Sequence, residues 1–321
     1  MITQLEKHQV DSAEVGRNPG RKTLTRWLPN VATLTAMTST PARLARARLP
    51  KAIQRAKRAA VEAEKLFHRA LATVGARQSQ SRIAADSQDY WQHQADAKWR
   101  GNAHWRDAPV FGDTGLWHKI GAEHLELFDA GARMCGFDRP WNRVLEWGCG
   151  GGANAVHFAP RAGEFIGVDI AAETLDECRR QVGAVCDTPF RPVAIDVADP
   201  ESAVSRVEGW CDVFLSFYVF ELIPTPEYGE RLLRIALELL APGGLALIQI
   251  KYADRRWRTR SRHRAYRSGL AEMTTYPIDE FWQLAERCGF TPKAVHLVPR
   301  NELDERYAYF FLLREPEAGE R

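Results

Sequence analysis

The stretch that most constrains this chain is Val144-Leu145-Glu146-Trp147-Gly148-Cys149-Gly150-Gly151-Gly152-Ala153-Asn154. A short apolar run enters a glycine cluster, and a helix-compatible segment, Asn154 to Phe158, leaves it. Glycines there let the backbone turn tightly and bring N–H groups close to a ligand, with a helix N-terminus behind them. Downstream, segments alternate as strand and helix, which implies a parallel sheet covered on both faces. Thr225-Pro226-Glu227 is a helix start: a capping hydroxyl, a proline in the first turn and an acid near the positive dipole end.

Gly148, Gly150 and Ala153 satisfy the G-x-G-x-x-A spacing of dinucleotide folds, and the acid ahead of the first glycine narrows the reading. Glu146-Trp-Gly148-Cys-Gly150-Gly-Gly152 resembles the E/D-x-G-x-G-x-G motif of class I S-adenosylmethionine-dependent methyltransferases. Further segments fall in that family's order. Phe165-Ile-Gly-Val-Asp169-Ile170 looks like its second strand, Ala194-Ile-Asp196-Val197 its third, and Asp212 to Leu222 its fourth strand with the following turn. Pro242-Gly243-Gly244 resembles the turn before the fifth strand, and Cys288-Gly289-Phe290 the entry to the sixth. The resemblance covers residues 141 to 314. It implies an α/β, Rossmann-like, mostly parallel seven-stranded sheet with an antiparallel final strand and helices on both faces.

The resemblance also implies the cofactor, S-adenosylmethionine, and candidate residues to hold it: Glu146, Gly148, Cys149, Gly150, Asp169, Ile170, Asp196, Val197 and Phe217. Asp169 is the acid for both ribose hydroxyls, and Asp196 faces the adenine amino group, although Asp199-Pro200 close by reads as a helix cap. Glu221 stands at the acid position of the turn after the fourth strand, with Leu222 replacing the family's histidine. It is the candidate general base; orienting neighbouring backbone is the alternative role. Tyr218 is a candidate for lining the acceptor site.

Ahead of the first strand the chain changes character. Lys and Arg dominate before Gly75, although the net charge of the whole chain is only +3. Residues 1–85 are expected to form a basic, partly disordered and partly helical extension, with Met1 to Thr40 lacking any sustained period. Ile53, Ala56, Ala60, Ala63, Phe67, Ala70 and Val74 recur at helical spacing, a stripe suited to docking on the domain, an anionic surface or a partner, with a solvated basic helix as the alternative. Gln78 to Ser87 reads as a polar linker. Residues 86–321 form the expected methyltransferase domain, in which 86–140 is an aromatic-rich helical cap with Tyr90, Trp91, Trp99, Trp105, Phe111 and Trp117, and 141–315 is the catalytic core. The scattered cysteines and spread histidines suggest neither a disulfide framework nor a metal site. No signal-peptide pattern interrupts the reading of a cytoplasmic protein.

The stretch after the fifth strand, Lys251 to Arg267, is rich in arginine. With Trp257, Arg258 and Tyr266 it reads as a grip for an anionic acceptor, or as a solvated loop. The expected function is methyl transfer to a small-molecule, glycan or lipid-linked acceptor, most simply at oxygen. Alternatives are an RNA methyltransferase, with nucleic acid less favoured as a partner, and a cofactor-binding scaffold without turnover.

Overall fold

A computed structural model describes residues 53–316, apart from 54, 57, 58, 61, 73, 93–96, 113, 114, 267–269 and 271. The expectations for Met1 to Thr40 and for most of the basic run after it lie outside the described residues. The compact unit that carries the sheet begins at Ile53.

Seven strands form one sheet in the order β3-β2-β1-β4-β5-β7-β6. They are β1 (Arg143–Trp147), β2 (Glu164–Asp169), β3 (Phe190–Ala194), β4 (Cys211–Ser216), β5 (Leu240–Lys251), β6 (Thr291–Arg300) and β7 (Glu305–Leu313). The first five pair in parallel, and β7 runs antiparallel to both β5 and β6, as the sequence led us to expect. Parallel strands are buried on both faces, which is why β4 reads as the unbroken run Cys-Asp-Val-Phe-Leu-Ser with every residue buried.

Alternate side chains feed two core layers. Leu145, Trp147 and Phe214 enter one, beneath α8 (Pro226–Leu239) and α9 (Ile278–Arg287). Val144, Val213 and Leu215 enter the other, beneath α4 (Leu116–Met134), α5 (Ala155–Phe158) and α6 (Ala172–Gly183). Trp147, unusual in a motif that favours smaller residues, stacks on Phe214 with ring centroids 6.4 Å apart. Thr225 caps α8 as its sequence demands: the hydroxyl accepts from Tyr228 N–H at 3.3 Å.

The N-terminal side departs from the sequence reading. Gln78 to Ser87 is not a linker; α2 spans Gln80–Gln92, so the expected boundary at residue 85 falls inside a helix. Its polar composition belongs to an exposed face, while Ile83 is buried among Tyr266, Leu270 and Met273, with Tyr90 and Trp91 alongside. Tertiary packing of a few anchors suffices for such a helix. In the helix over residues 62–72 (α1), the apolar stripe is not the docked face. Phe67 is 60% exposed, whereas Arg69 is 3% and Ala72 6% exposed. Arg69 donates to Arg260 O at 3.0 Å and pairs with Glu272. A charged contact thus wins over an alanine-rich stripe whose methyl groups have little to gain from burial.

Candidate functional site

A ligand in an open α/β sheet lies at the carboxyl ends of the strands where the order reverses, here between β1 and β4. The glycine turn stands there. Gly148 N–H and Cys149 N–H both donate to Val168 O, at 2.7 and 3.1 Å. Gly148 has φ 74°, and a Cβ on it would meet Val219 Cγ2 at 2.3 Å, so the turn admits only glycine.

Asp169 ends β2 facing this turn. Its Oδ2 accepts from Gly150 N–H at 3.0 Å and its Oδ1 from Ile170 N–H at 2.8 Å. Burial raises its pKa, and these backbone donors work against the rise. With Gly148, Gly150, Ile170, Val197, Phe217 and Tyr218 it lines one cleft. Glu146, at 0% exposure, sits beneath the turn. Its Oε1 accepts from Asn154 Nδ2 at 2.6 Å, while Oε2 is buried without a partner. Burial pushes this carboxyl up to about 8.

Three sequence candidates are absent from the cleft lining: Glu146, buried beneath the turn, Cys149 and Asp196. The Cys149 thiol is buried against Gly167 and Cys178 and does not line the cleft, so Cys149 offers its backbone only. Asp196 is exposed in an adjoining groove, where its carboxylate accepts from Ala198 N–H at 2.8 Å within its own turn. Ile170, Ile195 and Val197 wall the cleft at that end instead.

The cap supplies residues that sequence reasoning had noticed only as a group. Trp91, Asn102, Ala103 and His104 line the cleft, and Ala103 O accepts from Gly151 N–H at 2.7 Å. Trp91 Nε1 donates to Tyr266 Oη at 2.8 Å, which brings the arginine-rich stretch into the same wall. The aromatic density before β1 was the signal for Trp91; nothing in the sequence marked His104. That imidazole is half-buried, and its desolvation lowers its pKa to about 4.

A second cavity shares Asn102, His104, Tyr218 and Leu222 with the cleft. Val110, Leu270 and Leu303 make it largely apolar, and Glu221, Asp304 and Tyr307 join the shared Asn102, His104 and Tyr218 as its polar groups. Glu221 is buried; its Oε1 accepts from Tyr307 Oη at 3.3 Å and its Oε2 has no partner. Burial pushes its pKa up to about 7, with Lys251 pulling the other way. Lys251 itself is paired with Asp304.

Trp257 and Arg258, the sequence candidates for an anionic acceptor, are exposed and line neither cavity. The stretch is folded against the domain instead: Arg262 is fully buried, Arg264 donates to Ala76 O, and Arg256 pairs with Asp254. Among the described residues no group of three His, Cys, Asp or Glu side chains is placed to hold a metal, and no helix is long and apolar enough to cross a membrane. All six cysteines are free.

The family model described as a methyltransferase domain matches residues 117–295, more than half of the chain. The chain belongs to the class I S-adenosylmethionine-dependent methyltransferases. This methyltransferase is 28% identical over 134 residues to a ubiquinone biosynthesis O-methyltransferase of Neisseria meningitidis, a match covering 40% of this chain and 50% of that one. A protein of the same name from Chromobacterium violaceum is 27% identical over 128 residues, again 40% and 50%. The chain thus matches about half the length of these curated relatives. Among solved structures, magnesium protoporphyrin IX methyltransferase from Synechocystis PCC 6803 with bound S-adenosylmethionine superposes with a TM-score of 0.50 at 14% identity, covering 73% of this chain and 97% of that one. That likeness is one of fold.

Proposed function

We propose that this methyltransferase transfers a methyl group to a hydroxyl of a small, largely apolar acceptor held in the second cavity. Glu221 is the observation that carries the reading. It is a buried carboxyl with one free oxygen, in a cavity that meets the cofactor cleft at Tyr218 and Leu222.

The cleft suits the cofactor. In this reading the partnerless Oε2 of Glu146, buried beneath the glycine turn, takes its ammonium, Asp169 the ribose hydroxyls, and Ile170, Ile195 and Val197 the adenine face. S-adenosylmethionine supplies a methyl group on a sulfonium. Glu221 would take the proton of the acceptor hydroxyl as its oxygen accepts that methyl group, with S-adenosylhomocysteine as the other product. Holding the two reactants in line can supply about 7–11 kcal/mol of the barrier, and a general base adds roughly 10²–10⁴-fold. The apolar lining, and carboxylates rather than arginines as its charged groups, favour an uncharged acceptor over a phosphate. The O-methyltransferase names of the two curated relatives support oxygen as the acceptor atom.

The test is mass spectrometry of small-molecule extracts incubated with the protein and methyl-labelled cofactor, with Glu221→Gln as control. A labelled, uncharged O-methyl product that disappears with the variant is expected. A labelled amine or RNA, or a product made equally well by the variant, refutes the reading.

A further inference from the structure

Behind the cleft, side chains from five separate parts of the fold touch in series, all buried. Gln249 of β5 lies 3.1 Å from Tyr309 Oη of β7, through its Nε2. Tyr309 Oη lies 3.0 Å from His124 Nε2 of α4. His124 Nδ1 lies 2.7 Å from Asn154 Oδ1, at the start of α5, and Asn154 Nδ2 lies 2.6 Å from Glu146 Oε1 of β1. At the far end Gln249 Oε1 accepts from the backbone N–H of Tyr218.

The hydrogens can be followed from that end. A backbone N–H can only donate, so the Gln249 oxygen faces it and the Gln249 amide donates to Tyr309. Tyr309 also bonds the Tyr218 hydroxyl, and with Tyr218 donating in that bond the Tyr309 hydroxyl has its own hydrogen for His124 Nε2. A neutral imidazole carries its hydrogen on Nδ1 toward Asn154, whose amide donates to Glu146. Burial lowers the His124 pKa to about 4, which keeps the ring neutral. Every donor points toward the carboxylate, and hydrogen bonds aligned in this way polarise one another.

The two ends are the two places where the site needs control. Glu146 Oε2 has no partner. Tyr218 has φ 57°, a left-handed conformation unfavourable for a tyrosine and kept only where the surroundings impose it. Its side chain lines both cavities.

We propose that this chain carries the presence of a positive charge at Glu146 to the Tyr218 turn, so that an occupied cofactor site fixes the wall of the acceptor cavity. His124 and Gln249 are its positioning residues. A cation at Oε2 holds Glu146 ionised, strengthens the bond from Asn154, and tightens each bond in turn back to the Tyr218 amide. This rests on the seating of the cofactor ammonium at Glu146 described above.

The test uses the full chain with ¹⁵N-labelled histidine and tyrosine. The probes are S-adenosylhomocysteine, which carries the ammonium, and methylthioadenosine, which lacks it. We expect His124 to be neutral with its hydrogen on Nδ1 at pH 7. S-adenosylhomocysteine should slow hydrogen exchange at the Tyr218 amide at least tenfold, and methylthioadenosine should leave it unchanged. Gln249→Met should lose that response while binding S-adenosylhomocysteine within threefold of wild type. A hydrogen on Nε2, an imidazolium at pH 7, or equal effects of the two probes overturns the proposal, and these wild-type measurements decide even if the variant does not fold. If S-adenosylhomocysteine binds equally well to Glu146→Gln, the ammonium seating fails and takes the proposal with it. Tight binding through Glu146 with no response at Tyr218 overturns the coupling alone.

Discussion

Tyr307 donates its phenol hydrogen to Oε1 of Glu221 across 3.3 Å, at the floor of the cavity that meets the cofactor cleft. The bond stabilises the ionised carboxylate and opposes the burial that pushes the Glu221 pKa up to about 7. A base acts when ionised, so turnover should rise with pH through a midpoint near 7. Tyr307→Phe removes a donor to the carboxylate and should move that midpoint upward. Glu221→Gln should lower kcat by roughly 10²–10⁴-fold and abolish the limb, with S-adenosylhomocysteine affinity within about twofold. Rates measured across pH 5–9 on the acceptor found by labelling check all three.

Glu146 makes a second pH dependence, this time of stability. Its folded pKa of about 8 lies above the ordinary 4.5, so the folded state holds a proton that the unfolded chain releases. The contribution to stability is complete below pH 4.5 and is lost as pH rises to 8, at about 1.4 kcal/mol per pH unit in between. Glu146→Gln keeps the acceptor for Asn154 and has no proton to lose. Denaturant unfolding should therefore show the variant gaining on wild type as pH increases. Its affinity for S-adenosylhomocysteine should fall by about 1.5–3 kcal/mol, the worth of a charged hydrogen bond.

Glu272 stands between Arg69 and Arg306 and pairs with both, in a region that also buries Arg262. Glu272→Ala leaves these buried guanidinium groups without their carboxylate and should cost about 3–5 kcal/mol. Glu302→Ala, which breaks a half-exposed pair with Lys119, should have no measurable effect on the unfolding midpoint. Equal losses in the two variants would remove the buried cluster as a stabilising feature.

Filling the second cavity should separate its role from that of the cleft. Leu303 lines that cavity and is absent from the cofactor cleft. Leu303→Trp is expected to abolish turnover while calorimetry finds S-adenosylhomocysteine bound as in wild type. Retained turnover places the acceptor elsewhere.

The exposed residues of the arginine-rich stretch should be dispensable. Arg258→Glu is expected to leave turnover unchanged, and total RNA should bind without the steep salt dependence of multiple phosphate contacts, which is roughly −0.7 per contact on a log–log plot for a single strand. Tight, steeply salt-dependent binding lost in the variant would restore a nucleic-acid acceptor.

Much of the sheet was legible because its signals are local. The glycine turn needs φ values that only glycine adopts readily, the buried parallel strands are short and mostly apolar, and Thr225-Pro226 caps a helix within four residues. The same locality made Glu146 and Asp169 visible, since Glu146 stands in the strand that enters the glycines and Asp169 ends the strand beside them. Spacing misled where a composition fits two folds. The polar stretch Gln78 to Ser87 reads as a linker because its single isoleucine gives no period, yet it runs into the helix Gln80–Gln92, where Ile83 finds Tyr266 and Met273 far along the chain.

The sequence by itself determined the order of strands and helices, the glycine turn and the acids beside it, because each is written in neighbouring residues. Tertiary structure alone decided which charged groups line the cavities. Asp196 turned outward into its own loop, Arg262 was buried while Arg258 stayed in solvent, and Glu221 came to lie under Tyr307. It alone joined His124 to Asn154 and Tyr309, which lie 30 and 185 positions away. Desolvation and hydrogen-bond partnership depend on what the folded chain packs around a group, and no local pattern records that.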